Sequence, residues 1–494
     1  MHKINRLLTL LFFALSVGSS FFVVAQNTFI PQELVDDPIA AALDSLLKLN
    51  MFEKGLVKTA SPKNSKYHFT TDSIPRYDDM IYEARLSKLN IASPFDLEYN
   101  TTVKMYIEMY VLRKRALVSK MMALSQIYFP LFEQTLDKYN LPLELKYLAI
   151  CESALNPLAK SRSGAMGLWQ FMYPTGKMFG LRVSSYMDER CDPYRSTIAA
   201  CEYFQYLYAL FGDWQMVLAA YNCGPGNVNK AIRRSGGKKT YWEIRPFLPR
   251  ETQGYVPAFI AVNYVMNNTA EHNLHAAIPK KSFLMVDTIK IKKQISFEQI
   301  SAILNVPLED VQYLNPTYRK NMIPAQENEQ LTLTLPSDKI GLFVANEDSI
   351  YSSLSRTMAA NVTVQAVEVR KTHVVKKGEY LTSLAKKYGC STTDIKTWNN
   401  LKSNSVYPGK KLIIYAQEIQ TTTNEKPKDK IRAENKINKT TSLGDYKYYT
   451  VKKGDSLYRI AQLNKTTIDE IKRLNNFKIK YSLMPGQKLK VGVM

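Results

Sequence analysis

Leu148-Ala149-Ile150-Cys151-Glu152-Ser153-Ala154-Leu155-Asn156-Pro157, then Ser161-Arg162-Ser163-Gly164-Ala165-Met166-Gly167-Leu168-Trp169-Gln170-Phe171-Met172, is the densest unusual stretch of this chain. Its first half is an apolar helical run that ends on one carboxylate, Glu152. Burial at such a place favours the protonated form, and a Glu protonated near neutrality can serve as a general acid. A lone Glu at a helix end is ordinarily exposed, so the reading depends on its company. Gly164 and Gly167 let the backbone approach a ligand closely. Read alone, Trp169 and Met172 would be core.

Outward from that stretch the pattern is helical. Leu141-Pro142 opens the helix that carries Glu152, with Pro near its first position. Thr102 to Tyr139 has apolar residues at spacings of three and four, among them Met105, Met109, Leu112 and Ala116. A break or kink is expected at Pro130. Downstream, helices are predicted over Ser196–Phe211, stopped by Gly212, over Trp214–Tyr221 and over Thr252–Asn268. Nothing between 100 and 270 alternates as a strand does. The expected fold is multidomain, with an all-α domain over 101–275 preceded by a helical and irregular region over 26–100.

Beyond about 285 a repeat takes over. His373-Val374-Val375-Lys376-Lys377-Gly378 recurs as Tyr449-Thr450-Val451-Lys452-Lys453-Gly454, 76 positions on. Asn399 and Asn475 keep that offset, and Pro408-Gly409 returns as Pro485-Gly486 with one residue inserted. A degenerate copy lies upstream at an offset of 160, with Lys292-Lys293 under Lys452-Lys453 and Asn315 under Asn475. There Gln294 and Ile295 replace the Gly-Asp turn. Each copy reads as strand, turn, two helices and closing strand. The modules are expected at 286–336 (degenerate), 371–415 and 446–491, with polar linkers at 337–370 and 416–445.

Composition narrows the class. In 494 residues, 45% are hydrophobic and 22% charged, which excludes wholesale disorder, a collagen-like fibre and a multi-span membrane protein. Five cysteines are too few for a disulfide scaffold. One bridge among Cys151, Cys191, Cys201 and Cys223 is compatible with their number, and none has metal-ligand spacing. The net charge is +22; from Lys371 onward 26 Lys/Arg face 10 Asp/Glu. Such a field favours a polyanionic partner. No nucleic-acid motif accompanies it. Residues 1–25 read as a secretory signal, with Lys3 and Arg6 before an apolar run and Val23-Val24-Ala25 at the cut. No Cys precedes Cys151, so no lipid-attachment site is expected. An exported protein of the periplasm or cell envelope is expected, without a stable membrane span after cleavage.

The repeats resemble the LysM module, which binds glycans containing N-acetylglucosamine. The resemblance places sugar at Gly378, Glu379 and Asn400 in one full copy and at Gly454, Asp455 and Asn476 in the other. The helical block resembles the lytic transglycosylases of goose-type-lysozyme-like (SLT-type) fold. It shares Glu152-Ser153, Gly167-Leu168-Trp169-Gln170, Ala220-Tyr221-Asn222-Cys223-Gly224 and Glu251-Thr252 with Tyr255-Val256. Taken whole, the chain is similar to the family 1, membrane-bound D-type lytic murein transglycosylases. Trp169 stands where many members carry Met and is expected to widen the aromatic surface of the cleft. The resemblance implies cleavage of the β-1,4 bond between N-acetylmuramic acid and N-acetylglucosamine in peptidoglycan glycan strands, leaving 1,6-anhydro ends. Glu152 would be the catalytic residue, with Ser161, Gln170, Met172, Tyr221, Asn222, Glu251 and Tyr255 on the substrate. Neither cofactor nor metal is implied. A hydrolytic muramidase and a non-catalytic peptidoglycan-binding protein are the competing readings.

Overall fold

The Glu152 stretch sits inside a layered bundle of helices, and small strand-and-helix modules come after it. The computed structural model describes residues 56–59, 66–324, 330–351, 365–420, 446–451, 457–464, 466–475 and 486–493, with a few isolated positions besides. The chain divides into two units, Met1–Asp37 and Pro38–Met494. Every helix and strand among the described residues belongs to the second unit. The predicted signal segment and most of the linker at 416–445 lie outside the described residues.

The helical domain runs through α1 (Asp79–Ile91), α2 (Thr101–Glu108), α3 (Arg115–Lys138), α4 (Leu148–Ser153), α5 (Tyr173–Met178), α6 (Pro193–Phe211), α7 (Trp214–Cys223), α8 (Pro225–Arg234), α9 (Tyr241–Ile244) and α10 (Arg250–Asn267). Local chemistry sets many ends. Asp192 and Asp213 accept from the backbone N–H of Arg195 and Met216, capping α6 and α7. Gly212 closes α6 in the left-handed conformation. The long predicted helix is split, since a π-helical turn at Met109–Arg113 separates α2 from α3. The break expected at Pro130 does not occur. α3 continues through it as one helix, because Tyr128 and Phe132 on either side are buried and packing outweighs one missing N–H. α10 is the central post, buried at almost every position from Thr252 to Val265.

Strands β1 (Leu56–Thr59) and β2 (Ala277–Pro279) pair antiparallel, tying the region before the bundle to the segment after α10. Three modules of common plan come next. The first pairs β3 (Val286–Ile291) with β6 (Leu331–Pro336), and β4 (Ile295–Ser296) with β5 (Met322–Ile323). Ile295, in place of an acidic turn residue, is buried in that module's core. The second pairs β7 (Gln365–Val374) with β8 (Lys411–Gln420), and the third β9 (Tyr446–Thr450) with β10 (Lys488–Val493). Each encloses two short helices: Phe297–Leu304 and Leu308–Leu314, Leu381–Tyr388 and Thr392–Asn399, Leu457–Leu463 and Ile468–Leu474.

The repeated Asn is a lock between the second helix and the closing strand. In the first module the Asn315 amide donates to the carbonyls of Val311 and Thr334 and accepts from the Thr334 N–H. Asn399 does the same with Ile395 and Ile413, and Asn475 with Ile471 and Lys490. After the first module the chain does not pass directly into a linker at 337. Ser337–Ala345 is helical, and Phe343, Ile350 and Tyr351 complete the module's core.

The first two modules dock on the helical domain. Met187 bridges Tyr318, the Asp188 N–H donates to the Thr317 carbonyl and the Arg319 N–H to that of Tyr186. Tyr173 and Val183 share a core with Leu384, Ile395 and Trp398.

Candidate active site

α4 is only six residues long, and it ends abruptly because Ala154 and Leu155 both take positive φ, +49° and +63°. That ending leaves Glu152 in the last turn, facing α10. The Tyr255 hydroxyl of α10 donates a short hydrogen bond to its carboxylate. Glu152 keeps a partial opening to solvent, yet its carboxyl is packed among protein groups. That desolvation pushes its pKa from 4.5 up to about 8; the Tyr255 hydrogen bond opposes the rise and the nearby charge of Glu251 adds to it. The hydroxyls of Tyr221 and Tyr255 are held well above their ordinary range by burial and then by the Glu152 charge.

The other motif residues form two groups, each tied to the bundle by its own hydrogen bonds. In the first, Asn222 joins α7 to α10. Its amide donates to Glu251 at 3.3 Å and accepts from the Thr252 hydroxyl at 2.7 Å. The second is a small hairpin in which Lys160 bridges Met166 and Met166 bridges Phe171. Hydroxyls of α4 and α7 tie the hairpin to the bundle at the Leu168 and Trp169 carbonyls. The Ser153 hydroxyl donates to the Ala149 and Leu168 carbonyls, both at 2.9 Å. The Tyr221 hydroxyl donates to the Trp169 carbonyl at 2.7 Å.

Within the hairpin, Ser161 accepts from the Ala165 N–H and shares a hydrogen with Ser163. Gln170, at φ +46°, donates its amide to the carbonyls of Ala159 and Gly167, so its free polar atom is the carbonyl oxygen. Met172 is 40% exposed and available to a ligand. Trp169 corrects the expectation of a wider aromatic surface. It is fully buried against Phe132 and Phe204, with its indole N–H on the Thr197 hydroxyl. Gly167 is required on two counts, its φ of +85° and the Arg190 carbonyl oxygen 1.8 Å from where a Cβ would stand.

Two contributors carried no separate signal as site residues. Ser153 was visible only as the neighbour of Glu152. Arg190 holds the hairpin through Gly164 and Phe171 while paired to Asp188 at 2.7 Å. Nothing in its sequence context announces that. The bridge envisaged among the cysteines is absent, and all five are free thiols.

In the second module Gly378 has φ +87°. Glu379 accepts from the Lys376 N–H at 2.8 Å and from His373 Nε2 at 2.7 Å, contacts that lower its pKa. Asn400 is exposed in a left-handed turn. Gly454, Asp455 and Asn476 lie outside the described residues.

Residues 130–244 match the Transglycosylase SLT domain, residues 285–352 the LysM-like domain of lytic transglycosylase MltD, and residues 373–414 and 449–492 the LysM domain. These matches and the helical fold define a multidomain transglycosylase with LysM-type modules. Over 366 residues the chain is 29% identical to membrane-bound lytic murein transglycosylase D of Escherichia coli K12, covering 71% of this chain and 73% of that one. The chain is thus similar to the D-type lytic transglycosylases in both its helical domain and its modules. Over 120 residues it is 38% identical to N-acetylmuramoyl-L-alanine amidase sle1 of Staphylococcus aureus USA300, covering 24% and 32% of the two chains. Among solved structures it is similar to the 70 kDa soluble lytic transglycosylase of Escherichia coli, at 22% identity and a TM-score of 0.27, covering 50% of this chain and 44% of that one. No described helix is long and apolar enough to cross a membrane.

Proposed function

We propose that the protein is a peptidoglycan lytic transglycosylase, brought to the wall by its LysM modules, with Glu152 as both acid and base. The observation that carries this reading is the Glu152 carboxyl, buried at the end of α4 with its pKa raised to about 8 and one tyrosine hydroxyl upon it. At neutral pH such a group holds a proton and can give it to the oxygen leaving the anomeric carbon. The carboxylate left behind accepts the Tyr255 hydrogen bond and sits in a poorly solvated place, so it takes a proton back readily. The muramic acid 6-hydroxyl supplies that proton and attacks its own anomeric carbon. The glycosidic bond breaks, an internal C–O bond forms, and no water is added.

In this reading Asn222 of α7 and Glu251 of α10, whose charge reaches the Glu152 carboxyl, line the cleft together with the hairpin of Ser161, Gln170 and Met172. In this role the Gln170 carbonyl oxygen and Met172 meet the sugar, while Ser161 mainly shapes the turn. The cellular place that fits is the cell envelope, after removal of the leading apolar segment.

Mass spectrometry of digested peptidoglycan tests the reading. Muropeptides about one water lighter than those from a hydrolase, and a fall of at least ~10²-fold in release by Glu152→Gln, are expected. Reducing muramic acid ends alone would make the protein a muramidase. Undiminished release by the variant would remove Glu152 from the chemistry.

A further inference from the structure

A cavity of about 450 Å³ lies where the helical domain meets the first and second modules. Lys160, Met166 and Arg190 of the helical domain wall it on one side, Gln312 and Arg319 of the first module on another, and Thr393 of the second module on a third. Its volume falls within the range of small-ligand sites. Its charges are almost all spent. Arg190 pairs with Asp188 at 2.7 Å and Arg319 with Asp394 at 2.6 Å. Lys160 is exposed and has no ion-pair partner among the described residues. The aromatic residues that reach the cavity, Phe297 and Tyr318, are buried, so no open ring face awaits a sugar. Apolar Leu158, Met166, Val183 and Pro316 line it together with the amides of Gln312 and Asn321, the hydroxyls of Thr393 and Thr397 and one uncompensated cation, a mixture that suits a short peptide bearing a free carboxylate.

The cavity also touches the hairpin beside Glu152. Lys160 and Met166 are bridged within it. Gln170 is bonded to Ala159, next to Lys160. Arg190, in the cavity wall, grips the hairpin at Gly164 and Phe171.

We propose that this cavity binds the carboxylate-bearing peptide of a peptidoglycan strand, with Lys160 as its anion contact, while the glycan of the same strand lies against Glu152 on the far side of the hairpin. This rests on the function proposed above, which supplies a substrate whose muramic acid carries such peptides. The docked modules then have a part in substrate selection beside wall attachment.

The test uses the full chain with Glu152→Gln, so that ligand is bound and not consumed. Affinity is measured calorimetrically for glycan strands with their peptides and for the same strands stripped by an amidase. Adding Lys160→Glu, or Thr393→Trp to fill the opposite wall, should weaken binding of peptide-bearing strands about tenfold and leave stripped strands unaffected. Lys160→Gln keeps the stem without the charge and should give a smaller loss of the same selectivity. Equal losses on both ligands would place Lys160 on the glycan and overturn the proposal, as would no loss on either. Because the readout is binding, it stands apart from product chemistry. Hydrolytic products from the parent enzyme would refute the proposed reaction and not this site.

Discussion

Replacing Glu152 with Gln should stabilise the helical domain, and only above a particular pH. The native carboxyl has a pKa raised from 4.5 to about 8, so between those values the folded chain holds a proton that the unfolded chain releases. Stability therefore falls as pH climbs through that window. At about 1.4 kcal/mol per unit the displacement sets a ceiling near 5 kcal/mol above pH 8. Glu152 is partly open to solvent, which lowers the figure to about 2–3 kcal/mol. Gln carries no charge at any pH and still accepts from Tyr255. Scanning calorimetry of the full chain should show the helical-domain transition of the variant coinciding with the parent's at pH 4. At pH 9 it should lie about 5–10 °C higher, on ~2–4 °C per kcal/mol for a domain of this size. A difference that is the same at both pH values, or a variant less stable at pH 9, would refute the idea that Glu152 is held protonated by burial.

Tyr255→Phe removes the hydroxyl that favours the ionised carboxylate, so the alkaline limb of the activity profile should move up by roughly one pH unit, read from muropeptide release between pH 6 and 10. Gly167→Ala drives a Cβ into the Arg190 carbonyl and should cost at least ~3 kcal/mol, seen as a lower unfolding temperature of the helical domain. Asn399→Ala strips three hydrogen bonds from the second module and leaves the backbone of Ile413 unsatisfied, a loss of about 2–3 kcal/mol. Sedimentation with insoluble wall should weaken in step. That sedimentation should also survive moderate salt and yield to N-acetylglucosamine oligomers; the reverse would mean that charge alone holds the modules to the wall.

The parts of the fold that were legible are those fixed by local rules. Gly212, Asp213 and Thr467 terminate or start helices through their own backbone or side chain, so those ends could be read from the chain. The register of the repeats was legible because the Asn lock recurs at fixed spacing even where the turn has been lost. Three features were hidden because they depend on packing between distant segments. Pro130 stays helical through its buried neighbours, Trp169 turns inward to Thr197, and the modules settle on Tyr186, Met187 and Val183. The site divides in the same way. Motif order pointed to Glu152, Tyr221, Asn222, Glu251 and Tyr255. Which of their atoms remain free for a ligand, as for Gln170, depends on hydrogen bonds that no motif records.

The Asn lock separates two jobs that small domains often merge. Its amide fastens helix to strand from inside, so the outward turns at Gly378 or at Asn400 carry none of that duty. With Gly378 and Asn400 kept for their left-handed backbone, change at the neighbouring turn positions should therefore yield folded modules at high frequency. A library confined to them, with the three asparagines untouched, would let the same frame be bred towards other polysaccharides.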